Sequence, residues 1–502
     1  MINSSQPDPD PSTRIAAVRL GVRAIQTRRD EHAIAICVAF ASGPIGPTAL
    51  VDFEKQMMAQ VRELARAVIE WTCNQLEGDD PAALPTHLRS EGIDYRLVKQ
   101  KTRSTIDTVF GPMVLRRHLY RPAERDSSES SVVPLERALG VVSQTTPGLA
   151  EAACRYLAEA GATQNAVLER LRDDHGVAMG VGRLRALAAQ VSGAMAALRE
   201  SMQVARLLAL LAEAESSRGR HRPVLSVGRD GITLGTRCRG GCVFEVSSTA
   251  TVSVLDRRGK RLGTVYLAFA PEPGQPTMSA ALTSLLEAVL VSWTGGLPRL
   301  AYVTDAGENE SQYYRRVLRP MVHPRTGEKL SWQRVVDFYH AMARVWALAA
   351  ALFGADARGL RSWARKMGRL LKQSNGPFRV LHSAAALRGR RGLSKRREAA
   401  YQKASNYLRK RTRWMQYAAY RRVGVPLGSG VTEAGCKTIY SQRLKLSGMR
   451  WNAAGAQVIL DLRVVLLSGI WQETYERVSV SFGNVEVPTP HQMREIAPQL
   501  AA

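Results

Sequence analysis

Three carboxylates stand where acids could do chemistry: Asp230 in VGRDG, Asp305 in VTDAGE and Glu433 in GVTEAG. Magnesium favours hard oxygen donors of this kind and keeps several waters. A site for phosphoryl transfer needs only two or three carboxylates beside the phosphate. Glu433 is followed on the same predicted helix by Lys437, Arg443 and Lys445, cations suited to lying along a phosphate backbone. The plain alternative for Glu433 is an acid complementing a helix N-terminus, worth about 0.3–1 kcal/mol. Asp337-x-x-His340, in VVDFYHAMARVW, adds a second acid and an imidazole. His340 either orients a nucleophile or meets a phosphate; the other reading is that the pair caps the helix that follows. Glu308 and Glu310 read as the start of the next helix, which leaves Asp305 as the reactive acid of its stretch.

The elements that must position these residues can be read from period and turn residues. PVLSVGRDGITLG, CVFEVSSTATVSVLD and RLGTVYLAFAP alternate as strands, joined at Arg239-Gly240-Gly241 and Asp256-Arg257-Arg258-Gly259. TMSAALTSLLEAVLVSW reads as a helix, LPRLAYVTDAGE as a fourth strand, ESQYYRRVLRPM as a helix, and LSWQRVVDFYH as a fifth strand entering a helix through Ala351. Three strands, helix, strand, helix, strand is the order of a ribonuclease-H-like fold, in which the first and fourth strands are neighbours. Asp230 and Asp305 would then converge above one sheet. Arg229 would compete with a metal ion if it paired with Asp230, but strand alternation directs it to the opposite face.

Upstream, residues 51–77 show helical spacing, and Thr105 to Arg121 reads as a β-hairpin turning at Phe110-Gly111-Pro112. Residues 163–176 and 181–215 read as two helices joined by a short Gly-containing segment. Either a DNA-binding helix-turn-helix or a plain helical hairpin fits. The expected fold class is mixed α/β: a ribonuclease-H-like core interrupted by a helical insertion, preceded by an N-terminal α+β module and a helical DNA-binding region. The expected boundaries are a disordered tail over 1–30, the α+β module over 31–140, the helical region over 141–220 and the first part of the core over 221–345. A basic insertion over 346–422, core completion over 423–478 and a tail over 479–502 follow.

Charge points to the partner. Lys and Arg number 70 against 44 Asp and Glu, a net charge of +26 over 502 residues, which favours a polyanion over an acidic small molecule. Six scattered cysteines suit a reducing compartment. Cys238-x-x-x-Cys242 reads as two thiols in a hairpin rather than a zinc knot. With no apolar run of membrane-spanning length and no secretory leader, the expected setting is cytoplasmic, on the nucleoid, with no membrane partner.

Five strings, GRDG, VTDAGE, DFYHA, GVTEAGCKTIYSQRLKLSGMRW and GAQVILDLR, in this order and with a long gap before the last acid, span roughly residues 50 to 475. In this pattern the chain resembles the DDE transposases of bacterial insertion sequences, in particular the Kra group, related in pattern to Mutator-like elements. The resemblance implies that Asp230, Asp305 and Glu433 hold two Mg2+ or Mn2+ ions. It also implies a ribonuclease-H-like core with a helical insertion before the Glu, and an acid-x-x-His motif at Asp337 and His340. The expected reaction is two-metal phosphoryl transfer on double-stranded DNA, first at element ends and then into target, by a homodimer or larger assembly. DNA contacts are expected from Lys437, Arg443, Lys445, Arg450 and Trp451, and from the insertion at Arg409, Lys410, Arg411, Arg413 and Trp414. In the insertion, rings alternating with cations suit stacking on unpaired bases, although a stripe packed inward explains the same letters. The rival functions are a ribonuclease-H-like nuclease that only cleaves, an inactive or domesticated DNA-binding protein, and a basic structural or RNA-binding protein.

Overall fold

The computed structural model describes residues 11–76, 84–90, 92–124, 127–238, 241–354, 356–390 and 392–482. The chain is mixed α/β and divides into two units. The first comprises residues 1–157, 162–194 and 475–502; the second comprises 158–161 and 195–474.

The first unit opens with two long helices, α1 (Pro11–Ser42) and α2 (Pro47–Asn74). Residues 11–30, expected as a disordered tail, form most of α1; residues 1–10 lie outside the described residues, as does the tail from 483. The helices touch through Gly21, where a Cβ would meet the Trp71 ring at 2.2 Å, and through Phe40 stacked on Phe53 at 4.3 Å. A three-stranded antiparallel sheet follows, β1 (His87–Ser90), β2 (Ile93–Thr108) and β3 (Gly111–Pro122). Its β2–β3 hairpin closes at Thr108↔Gly111, with Gly111 at φ +109, so the predicted turn is present one residue early. Next come α3 (Pro134–Ala138), α4 (Pro147–Ala158) and α5 (Gln164–His175). Thr163 caps α5, and Gly176 ends it in the left-handed region. Helix α6 (Val181–Ser216) supplies residues to both units, so the boundary falls near residue 194, inside a helix, and not at the expected 220.

The second unit carries a five-stranded sheet of β4 (Val224–Cys238), β5 (Gly241–Leu255), β6 (Arg261–Phe269), β7 (Arg299–Thr304) and β8 (Trp332–Val336). The spatial order is β6-β5-β4-β7-β8. The first three are antiparallel, and β7 and β8 run parallel to β4. Of the predicted β4–β5 turn, residues 239 and 240 lie outside the described residues. Alternation gives the sheet two apolar faces. On one, Leu225, Val227, Leu300 and Tyr302 pack with α6 and α7 (Pro276–Ser292). On the other, Val224, Ala301, Val303 and Val335 pack with α9 (Phe338–Phe353). Burying each such Val or Leu contributes about 1.5–3 kcal/mol. Between β7 and β8 lies the short helix α8 (Glu308–Tyr313), prolonged through Leu318 by a π-helical turn.

The expected insertion is helical, but it belongs to the core. Helices α10 (Ala357–Leu371), α11 (Gly376–Arg390), α12 (Lys395–Arg411) and α13 (Tyr417–Arg422) bury Leu371, Val380, Leu408 and Tyr417 in the same cluster as α9 and the sheet. The chain continues through α14 (Gly430–Cys436), widened by a π-helical turn at Lys437–Ser441. It ends in α15 (Ala453–Leu467) and α16 (Trp471–Ser481).

Candidate functional site

Strands β4 and β7 pair in parallel from Val224↔Arg299 to Val227↔Tyr302. Alternation puts Asp230 on the face of β4 that holds Val224, and Asp305 follows directly on Thr304, the last residue of β7. Arg229 leaves on the other face, as alternation requires. It is buried there, donating to Ser279 Oγ at 3.1 Å and Gln275 Oε1 at 2.9 Å. Burial raises the Asp230 carboxyl above its usual range and the neighbouring Asp305 carboxylate adds to this, while the Gly231 N–H works against it.

Asp305 ends its strand in a tight turn. Its Oδ1 accepts from Gly307 N at 2.8 Å, and Ala306 adopts φ +61, a conformation an alanine enters only when held there. Helix α12 supplies the hold: Tyr407 OH donates to the Asp305 carbonyl at 2.7 Å, and Arg411 Nη2 to the Ala306 carbonyl at 3.0 Å. Glu308 and Glu310 start α8 as expected. Glu310 is buried, and burial raises its pKa, with the Asp305 carboxylate adding.

Glu433 lies in the first turn of α14, which docks on β4 at Gly228. A Cβ there would stand 2.0 Å from Thr432 Oγ1, and Thr432 Oγ1 also shares a hydrogen bond with Thr251 Oγ1 at 2.7 Å. Downstream, Tyr440 OH donates to the Ser248 carbonyl at 2.8 Å. Arg463 of α15 donates from Nε to the Thr438 carbonyl at 2.7 Å, so part of GAQVILDLR serves as an anchor for this helix. Cys436, one turn beyond Glu433, places its thiol 3.7 Å from Asp230 Oδ2.

Asp337 and Ser429 complete the frame. Asp337 Oδ1 accepts from His340 N at 2.8 Å, capping α9, and Oδ2 accepts from the Ser429 N–H and from Ser429 Oγ. Thus the end of β8 grips the PLGSG turn from which α14 starts. Burial opposes the charge on Asp337, but these hydrogen bonds outweigh it and hold the carboxyl at about 2. His340 Nδ1 lies 3.3 Å from Asp337 Oδ1 and 3.5 Å from Glu433 Oε1. Asp337 raises the His340 pKa, with Asp305 and Glu433 adding. The capping reading of this motif is therefore present, with the imidazole still half-exposed among the acids. Among the described residues, the group whose donor atoms lie within 4.8 Å of one another is Asp337, His340 and Glu433; Asp230 and Asp305 stand outside it.

Asp337→Asn tests the grip. The amide can present only one oxygen, so its NH2 would face the Ser429 N–H, donor against donor. The expected loss is about 2–4 kcal/mol in chemical unfolding. The folded value near 2 lies below the ordinary 3.8, so the contribution of Asp337 is complete above the ordinary value and fades as pH falls toward 2. The gap between wild type and variant closes over that interval.

The donor set suits a hard divalent cation. Asp230, Asp305 and Glu433 offer carboxylate oxygens, like charges sit side by side, and burial leaves Asp230 short of compensation. Among the described residues no Lys or Arg stands within ion-pair distance of any of the three. The net charge of +26 makes that omission conspicuous.

The expected DNA contacts divide. Lys437, Lys445, Arg450, Arg409, Lys410 and Arg413 are exposed. Arg443 is not: it is fully buried beneath the Trp451 ring, and burial lowers its pKa to about 10. Its role is internal, which corrects that expectation. Arg411 is committed inward to the Asp305 turn. Trp414 is half-buried, with Arg334 and Arg413 over its ring at 3.8 and 4.1 Å, and Tyr401 and Tyr417 are buried, so the aromatic stripe packs inward. Trp451 is half-buried: its carbonyl accepts from Arg237 N at 2.7 Å and its Nε1 donates to the Leu444 carbonyl at 2.9 Å. Sequence reading missed Ser429, Gly228 and Tyr407 as positioning residues. The signals present were a Ser before the Gly that opens a helix, a Gly inside a strand pattern, and a Tyr one turn before Arg411 on the same face of α12.

No known family model matches the chain, and no curated protein matches it significantly.

Proposed function

We propose that the protein is a transposase, cutting and joining DNA by metal-dependent phosphoryl transfer on a ribonuclease-H-like core. The observation that carries this reading is the set of carboxylates just described. Asp230 and Asp305 come from neighbouring parallel strands, Glu433 enters from a helix docked on the same face, and among the described residues no Lys or Arg stands within ion-pair distance of any of them despite the basic chain. The strand order β6-β5-β4-β7-β8 supports it, because a sheet with its first strand central and its fourth beside it is what a ribonuclease-H-like core requires.

In this reading Asp230, Asp305 and Glu433 hold the divalent ions, Mg2+ or Mn2+. Bound there, the ions supply an activated water or 3′-hydroxyl and charge stabilisation at the leaving oxygen. The rest is done by the protein. The Asp305 turn is fixed from behind by Tyr407 and Arg411, so its carboxylate does not reorient as charge develops. His340 Nδ1 stands 3.5 Å from Glu433 Oε1, and the surrounding acids, Asp337 first, favour a proton on the ring. Lys437, Lys445 and Arg450 follow the catalytic acid and receive backbone phosphates, as do Arg409 and Lys410 at the end of α12 and Arg413 in the turn after it.

The test is incubation of the purified full chain with labelled duplexes carrying the ends of its own element, in Mg2+, Mn2+ and Ca2+. End-specific nicking in Mg2+ or Mn2+, with joining of a supplied 3′-hydroxyl end to target, is expected. Nicking without joining would favour the nuclease reading, and binding without either reaction would favour the inactive DNA-binding protein.

A further inference from the structure

Helix α1 is long, yet from Ile15 onward none of its side chains is buried. One face, with Gly21 and Phe40, lies on α2. Another is wholly exposed: Leu20 (76%), Arg23, Thr27, Glu31, Ile34 (61%) and Val38 (57%) recur at spacings of three and four and form a continuous stripe. Large aliphatic side chains repeated this way on a solvent-facing helix mark an association surface.

The order of residues on the stripe says what covers it. With the exposed Ala16 one turn before Leu20 included, Thr27 is its midpoint. When the stripe is laid antiparallel on a copy of itself about a two-fold axis at Thr27, Leu20 faces Ile34, Ala16 faces Val38, and Arg23 faces Glu31. Apolar residues meet apolar residues and the two charges meet opposites, twice over, as an isologous contact demands. Helix α2 also exposes Val51, Met58 and Val61, but its stripe does not match itself: reversed about its own centre it would set Glu54 against Met58, leaving a carboxylate unpaired in an apolar contact. We infer that α1 is a homodimerisation helix, pairing antiparallel with α1 of a second copy through Leu20, Arg23, Glu31, Ile34 and Val38. This contact lies within the first unit and does not depend on the catalytic reading.

The experiment is sedimentation velocity on the full chain over a dilution series. Wild type, Arg23→Glu, Glu31→Arg and the double reversal Arg23→Glu/Glu31→Arg are compared without DNA or metal. Both substituted positions are exposed, so circular dichroism should be alike. Wild type is expected to dimerise. Each single reversal sets like charges against each other and should weaken the dimer about tenfold or more, and the double reversal, which restores opposite pairs across the axis, should return it to within about threefold of wild type. Ile34→Asp should leave a monomer. A monomeric wild type, single reversals that dimerise as wild type does, or a double reversal no better than the singles would each overturn the inference.

Discussion

Asp305→Asn is expected to abolish metal-dependent strand cleavage, by about 1,000-fold or more, while leaving DNA binding and folding near wild type. The amide keeps the volume and the Oδ1 that accepts from Gly307 N, so the Ala306 turn can persist. What disappears is one of the two negative charges set side by side on β4 and β7. The exposed cations that would grip phosphates are untouched. Cleavage kinetics together with a binding isotherm for the same duplex separate the two effects. A parallel loss of binding would mean that the turn had collapsed rather than that a charge was missing, and unimpaired cleavage would remove Asp305 from the site.

The second large effect is expected at a residue with no side chain. Gly228→Ala places a methyl 2.0 Å from Thr432 Oγ1 and 2.9 Å from Thr251 Oγ1. Thr432 is buried and β-branched, so it has little rotamer freedom to yield. The methyl must either break the Thr251–Thr432 hydrogen bond or push α14 off the sheet. Overpacking of this kind costs about 1–3 kcal/mol, and Gly228→Val should cost more. Glu433 is the next residue, so even a displacement of about 1 Å should reduce cleavage about 100-fold. Thermal unfolding and cleavage measured on Gly228→Ala and on Gly228→Ala/Thr432→Ser read the two consequences. If the clash is with the threonine hydroxyl, serine, which keeps that oxygen but is free to rotate it away, recovers part of both losses.

How far the sequence announced this depends on the kind of information needed. Strands β4 to β8 and the helices between them were legible because period two, period 3.6 and Gly-rich turns are local signals, and the middle of β4 and the end of β7 carried their acids in the same short strings. Arg229 went to the far face for the same reason. Helix α1 was missed because Pro, Ser and Asp in the first residues lent their character to an Arg- and Ala-rich stretch that is helical. The unit boundary was misplaced because α6 keeps one unbroken periodicity across it. The aromatics of the insertion showed that α12 has a ring-bearing face but not what that face meets. It meets the core, so Tyr407 and Arg411 brace Asp305 instead of waiting for DNA. Arg443 illustrates the limit most directly: a cation directly after the polar pair Ser441-Gln442 reads as surface, and only the tertiary packing of Trp451 puts it inside.

The most direct test of the central claim is Mn2+ binding by electron paramagnetic resonance, on the wild-type chain and on Asp230→Asn/Asp305→Asn, with thermal unfolding showing that both are folded. If these carboxylates form a cation site, the wild type removes free Mn2+ from solution at concentrations where the double variant leaves it free. Equal Mn2+ binding by the two proteins would contradict the account, leaving β4 and β7 with a pair of structural acids and no metal centre between them.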